Sequence, residues 1–358
     1  MRKLLFVCAL LTEAAALAAT PQIHRDEQVT FRSGSITIAC TLSVPSGSGP
    51  FSAVVLLSGS GPQNRDSELE LGGFRPFKLM AESFAQRGIA VLRCDDRGVG
   101  GSTGSLADAT SEDFADDALA AIRVLRARAD IDGARVGLLG HSEGAIVAAI
   151  AASRSTDIAF IVWMAGSAVP GGEILRMQAA SLARAAGATE SAVDEILRHH
   201  APFVAAIAED APDDKVMALG RTLFAAQMAA VPGPQRTAAA DQSALADRML
   251  TQRLALLKSR WMRFFIGFDP STALRRVVCP VFAGFGGRDL QVPEAVNRTR
   301  LERALKEAKN QQVTVRVYPE ANHMFMQAVT GQQAEYATLP KTFVPSLLDD
   351  IDTWIGRP

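Results

Sequence analysis

The stretch Val136-Gly137-Leu138-Leu139-Gly140-His141-Ser142-Glu143-Gly144-Ala145-Ile146-Val147-Ala148-Ala149-Ile150 decides how the rest of the chain is read. Its first four residues form a short apolar run, the mark of a strand buried on both faces of a parallel sheet. Residues 145–152 are small and apolar, as a helix lying close on such a sheet requires. Between the two, Gly140-His141-Ser142-Glu143-Gly144 fits G-x-S-x-G. In that pattern a sharp strand-to-helix turn lifts a serine hydroxyl above the sheet and aims a helix N-terminus at a developing anion. The pattern alone is weak, because Gly100-Gly101-Ser102-Thr103-Gly104 matches it too. Context separates the two. Ser102 lies in a glycine-rich loop with the next helix starting only near Ser111, whereas Ser142 stands directly between strand and helix. Ser142 is the candidate nucleophile, and Ser102 reads as a loop residue.

Outward from this turn, the apolar strand signature recurs at 53–57, 89–92, 158–164 and 277–283, and in more alternating form at 313–318. A hairpin pattern occupies 28–44, with β-branched residues either side of Arg32-Ser33-Gly34-Ser35. Helical periods fall at 76–86, 111–127, 143–152, 293–308 and 342–355, and the second opens on capping-box residues, Thr110 or Ser111 before Glu112 and Asp113. Alternation of this kind predicts an α/β fold, with a mostly parallel eight-stranded sheet covered by helices on both faces. Residues 171–265 break it. They carry no strand run, are rich in alanine, and show helical stretches at 173–185, 191–208, 214–228 and 241–265, with Val231-Pro232-Gly233-Pro234 as a break. The expected organisation is a sheet domain built from 28–170 plus 266–358, with 171–265 as a helical insertion.

The chain has 358 residues, with 37 Lys+Arg against 38 Asp+Glu and a net charge of −1, so nothing suggests long-range attraction to nucleic acid or an anionic membrane. Its 48% apolar content allows a large core. Arg2 and Lys3 precede an apolar run at 4–11, and Ala16-Leu17-Ala18 offers a small-x-small cleavage site. Residues 1–19 therefore read as a secretory signal peptide, which predicts a periplasmic or secreted protein; Glu13 fits that reading poorly. The run is too short for a spanning helix, so no stable membrane insertion is expected. Beyond it, Cys40, Cys94 and Cys279 each fall in an apolar strand-like segment and read as buried free thiols; a single disulfide stays open, but sequence does not pair it. No CxxC or Cys/His cluster offers a structural zinc site or a thioredoxin-type redox motif. No metal or organic cofactor is expected.

A serine hydroxyl needs a base to take its proton, and the base needs an acid to orient it. In a strand-turn-helix arrangement of this type the acid follows a later strand and the histidine comes last. Asp289, in Gly286-Gly287-Arg288-Asp289, and His323, after Ala321-Asn322, meet that order, with Asp269 as a reserve acid. Four other histidines have blander readings. His24 adjoins the proposed cleavage region, His199 and His200 lie in the insertion, and the turn should direct His141 away from Ser142 into packing or hydrogen bonding. The oxyanion needs two donors: the backbone N–H of Glu143, and one from Ser58-Gly59-Ser60-Gly61-Pro62. Pro62 has no N–H, leaving Ser60, the preferred donor, or Gly61.

Together these segments resemble the α/β-hydrolase superfamily, specifically a bacterial carboxylesterase branch close to serine aminopeptidase-like hydrolases. The resemblance runs over about 31–355. It rests on residues 58–62 with Asn64-Arg65-Asp66, on Asp95-Asp96-Arg97-Gly98-Val99-Gly100, on 140–144, on Asp289-Leu290-Gln291-Val292-Pro293 and on Asn322-His323. It implies that Ser142, Asp289 and His323 form a triad and that the insertion acts as a lid. Ala145 departs from the third glycine that relatives often carry. Arg97 is expected in a structural ion pair with Asp95 or Asp96 rather than on substrate. Trp261, Phe264, Phe265 and Phe268 either wall an acyl pocket or join insertion to core. The predicted activity is hydrolysis of small carboxylic esters, with a small-molecule ester as partner. The alternatives are an aminopeptidase, which would need Glu143, Asp66, Glu68 or Glu173 to hold a substrate amine, a thioesterase or deacetylase, and a catalytically silent binding protein.

Overall fold

The computed structural model describes residues 24–69, 72–230 and 239–356. The expected signal segment and the break at 231–234 lie outside the described residues. One sheet carries eight strands: β1 (His24–Ser33), β2 (Ile36–Pro45), β3 (Phe51–Leu57), β4 (Ile89–Cys94), β5 (Ile131–His141), β6 (Ile161–Met164), β7 (Val281–Gly286) and β8 (Val313–Tyr318). Their spatial order is β1-β2-β4-β3-β5-β6-β7-β8. The β1–β2 and β2–β4 pairings are antiparallel and all the others are parallel. The chain runs from β3 out to β4 and then returns to the other side of β3 to place β5. Ligands of open α/β sheets bind beyond the carboxyl ends of strands where the order reverses in this way.

Helices α1 (Pro76–Gln86), α2 (Ser111–Arg126) and α3 (Glu143–Ala152) connect the first strands. The insertion comprises α4 (Gly171–Ala185), α5 (Glu190–Ala208), α6 (Asp213–Ala230), α7 (Ala239–Leu257) and α8 (Arg260–Gly267), and α9 (Ser271–Leu274), α10 (Glu294–Glu307) and α11 (Leu347–Ile355) complete the chain. Residues Ile122 and Leu125 of α2, Ile146 and Ile150 of α3, and Leu301 and Leu305 of α10 cover one face of the sheet. On the other lie Phe77, Met80 and Phe84 of α1 with Leu347, Ile351 and Ile355 of α11. All ten residues of α3 are buried, which explains its run of alanines: a helix in contact all round leaves little space for larger side chains. The insertion has its own apolar cluster, Ala206, Ile207, Val216 and Ile266, while Phe265 and Phe268 pack back against the sheet core.

Among the boundaries that differ from the sequence reading, three have a visible local cause. The seventh strand starts at Val281 rather than 277, directly after Pro280, which has no N–H for the ladder. The last helix starts at Leu347 rather than 342, because Pro345 would interrupt it. The stretch 241–265 is two helices, not one: Ser259 caps α8, its Oγ accepting from the Met262 N–H at 3.1 Å. The expectation of free thiols also fails at two positions. Cys40 and Cys94 face each other across β2 and β4 and form a disulfide, leaving Cys279 free.

Candidate active site

At the end of β5 the backbone turns sharply into α3, and Ser142 at the turn has φ 56° and ψ −117°. That conformation is costly for a residue with a Cβ and persists only where surroundings enforce it. Here the enforcement is visible. The Ser142 N–H donates to the Met164 carbonyl of β6 at 2.8 Å, and a Cβ on Gly140 or Gly144 would collide with the Gly144 or Leu57 carbonyl. The two flanking glycines are therefore spacing requirements of the turn. Ser142 opens onto a cleft of about 670 Å³ that His323 also lines.

Asp289 and His323 come together from the loops after β7 and β8. The His323 Nδ1–H donates to Asp289 Oδ2 at 2.8 Å, and both side chains are buried. The other carboxylate oxygen, Oδ1, accepts from the backbone N–H groups of Gln291 and Val292, each at 2.8 Å. Asp289 is thus held by its own loop and turned toward the imidazole, with Nε2 left for the cleft. Among the described residues the Ser142 hydroxyl makes no hydrogen bond; such contacts often tighten only with substrate bound. His323 is itself braced. Its carbonyl accepts from His141 Nε2 at 2.8 Å, and the two rings lie 4.8 Å apart. A carbonyl can only accept, so His141 carries its proton on Nε2. Burial, assisted by the neighbouring His323, pushes the His141 imidazole down to about 3, so it remains neutral.

The loop after β3 passes directly over Ser142: a Cβ on Gly59 would stand 3.2 Å from Ser142 Cβ. The amide N–H groups of Ser60, Gly61 and Glu143 have no acceptor among the described residues. The Glu143 side chain is buried and accepts hydrogen bonds from Ser60, Ser111 and Trp261, and burial pushes its carboxyl up from the ordinary range. This cluster was not read from sequence, since its members lie at 60, 111, 143 and 261 with no local pattern connecting them.

Arg97 does avoid the cleft, but neither Asp95 nor Asp96 is its partner. It makes a two-point pair with Asp117 of α2, Nε to Oδ2 at 2.7 Å and Nη2 to Oδ1 at 2.8 Å. Asp95 is held instead by Arg65, whose Nη2 lies 2.6 Å from Oδ2. Asp96 accepts from Ser58 Oγ at 2.6 Å and the Gln63 N–H at 2.8 Å, and burial raises its carboxyl to about 7. The reserve acid, Asp269, pairs with Arg300 and caps the N–H of Ser271, away from His323. Ser102 bridges the Ala39 N–H and the Asp95 carbonyl, a loop-fastening role. His24 lies in β1, while His199 and His200 lie in α5. Of the four aromatic residues, Trp261 and Phe265 line the cleft and stack with ring centroids 6.1 Å apart, and Phe268 packs on the sheet core. Among the described residues no three His, Cys, Asp or Glu side chains group as metal ligands, and no helix is long and apolar enough to cross a membrane.

The strand order, the serine turn and the Asp289–His323 pair agree with a match of the alpha/beta hydrolase family model to residues 54–337. The chain belongs to the alpha/beta hydrolase family. Within the alpha/beta hydrolases it is 27% identical over 323 residues to esterase EstD of Thermotoga maritima; the match covers 88% of this chain and 65% of the length of that relative. An esterase of Pyrococcus furiosus superposes with a TM-score of 0.54 at 14% identity, covering 93% of this chain and 91% of that one. The alpha/beta hydrolase GrgF from Penicillium sp. sh18 gives 0.53 at 14% identity, covering 93% and 97%. At these identities the two structures speak for the fold alone.

Proposed function

We propose that this alpha/beta hydrolase is a serine esterase that cleaves small, uncharged carboxylic esters through an acyl-enzyme. Ser142 attacks the ester carbonyl while His323 Nε2 takes its proton, and the protonated imidazole then gives that proton to the departing alkoxide. Water, activated by the same nitrogen, releases the acid and restores the serine. Asp289 keeps the proton of neutral His323 on Nδ1, and the N–H groups of Ser60 and Glu143 receive the oxyanion. Two such donors each contribute about 2.7–4 kcal/mol in related chemistry. The observation that carries this reading is the opening of a strained serine turn onto the same cleft as a buried Asp–His pair. The name of EstD supports the ester class.

The lining of the cleft favours esters over peptides with a free N-terminus. Leu69, Leu175, Trp261, Met262, Phe265 and Met324 supply apolar surface suited to an acyl or aryl group. Of the four carboxyls considered for holding an amine, only Glu68 lines the cleft, and its Oε1 lies 3.1 Å from Arg75 Nη2. Asp66 pairs with Arg93, Glu143 is enclosed by neutral donors, and Glu173 is outside the lining. Comparing turnover of p-nitrophenyl acetate with that of aminoacyl-anilides tests the assignment. Preference for the ester is expected, and preference for the anilide overturns it.

We also propose export to the periplasm or medium, with the helices at 171–265 acting as a lid. The residues at 1–19 and the Cys40–Cys94 bond support export, since disulfides persist in oxidising compartments. N-terminal sequencing of the protein from the periplasm or medium should give a start near Thr20; recovery with Met1 intact contradicts cleavage.

A further inference from the structure

The mechanism above asks of Glu143 only its backbone N–H, yet its carboxyl is the one ionisable side chain in the apolar helix α3. Burying a carboxyl costs several kcal/mol unless donors compensate it. Three do, and each comes from a different part of the molecule. Ser60 Oγ, from the oxyanion loop, donates to Oε2 at 2.7 Å; Ser111 Oγ, the first residue of α2, donates to Oε1 at 2.7 Å. Trp261 Nε1, from α8 of the insertion, donates to Oε1 at 2.8 Å and lies 3.1 Å from Oε2. Ser111 fixes the carboxyl to the sheet domain, while the other two donors belong to the elements that border the cleft.

We infer that the Glu143 side chain is a latch that couples the seating of the insertion, through Trp261, to the shape of the oxyanion loop, through Ser60. This rests on the reading of Ser142 as nucleophile. Glu143 is in this role a positioning residue. Its carboxyl touches no reacting atom, but it holds the side chain of the residue whose N–H faces the oxyanion. Trp261 is well placed to report on the cleft, because the ring that donates to Glu143 also lines the cleft and stacks on Phe265. The second anchor of α8 is separate: Arg260 Nη1 reaches Asp113 Oδ2 at 3.0 Å and the Asp108 carbonyl at 2.9 Å without touching Glu143.

The test is a double-mutant cycle on the full chain with p-nitrophenyl acetate, after fluorophosphonate labelling has been mapped. Trp261→Phe keeps a stacking ring and removes the N–H; Ser60→Ala removes the hydroxyl and keeps the backbone donor. Each single variant should lose about ten- to hundredfold in kcat, the scale of leaving a buried acceptor without one of its donors, with KM changed by less than about threefold. Because both act through one carboxyl, the double variant should lose little more than the worse single. Glu143→Gln, which still accepts from Trp261, should retain more kcat than Glu143→Ala, and Arg260→Ala should combine multiplicatively with Ser60→Ala. If the wild-type protein is labelled at Ser142 but the Ser60 and Trp261 losses multiply, or neither variant affects kcat, the latch is overturned and the esterase reading stands. If the wild type neither labels nor turns over ester, the esterase reading fails, and the latch as a catalytic device fails with it.

Discussion

Asp289 divides its two oxygens between different tasks, and the division makes a substitution informative. With Oδ1 fixed by the N–H groups of Gln291 and Val292, Asp289→Asn would leave its carbonyl there and present an NH₂ group to His323 Nδ1. Two donors would then face each other unless the imidazole moves its proton to Nε2, where it cannot accept one from Ser142. A fall in kcat on the order of 10⁴ is expected with the fold intact, measured as ester turnover beside a thermal melt. A loss below tenfold would mean that Asp289 does not set the tautomer. The sharp turn at Ser142 and the approach of Asp289 to His323 were legible in sequence because all three residues lie at or just beyond strand ends, a local signal. The partner of Arg97 was not. Proximity in the chain pointed to Asp95 and Asp96, whereas the side chain runs across to Asp117, twenty residues on.

At the scale of elements, the β4–loop junction carries a proton-linked feature. Asp96 titrates near 7 in the folded protein, against an ordinary carboxylate near 4, because burial disfavours its charge. Between those values the folded state holds a proton that the unfolded chain has released. Asp96 therefore favours folding fully only below about pH 4, and that contribution is lost as pH rises toward 7, at about 1.4 kcal/mol per unit. Asp96→Asn removes this term while keeping an acceptor for Gln63 N–H. Relative to wild type the variant should gain on the order of 1–2 kcal/mol between pH 5 and 6.5, read from urea unfolding at each pH. A difference that does not move with pH contradicts the assignment. His141 has the opposite sign: its folded value near 3 lies below the ordinary 6.5, so stability is lost as pH falls through that window. The elements themselves were legible from apolar runs and helical period. Their ends were missed where a single proline or cap overrides the period, as at Pro280, Pro345 and Ser259.

Over the whole molecule, contacts remote in sequence set what the chain order hides. The Cys40–Cys94 pair depends on β2 lying beside β4, a neighbour relation that skips β3 and that no local pattern records. Closing a loop across a sequence separation of 54 is worth on the order of 4 kcal/mol. Cys40→Ala with Cys94→Ala should lower unfolding stability by about that much, measured by urea titration; an unchanged midpoint contradicts a formed bond. The same remoteness concealed the contact of Trp261 with Glu143, which ties the insertion to the serine turn. The sheet order, the Asp–His pair and the cleft all converge on Ser142. The most direct measurement is therefore ester turnover with a fluorophosphonate adduct mapped by mass spectrometry in wild type and Ser142→Ala. The account predicts one adduct, on Ser142, appearing in step with loss of turnover, and a variant that is unlabelled and slower in kcat by about 10⁶. Near wild-type turnover by Ser142→Ala, or full activity in a wild-type enzyme already modified at Ser142, would contradict it.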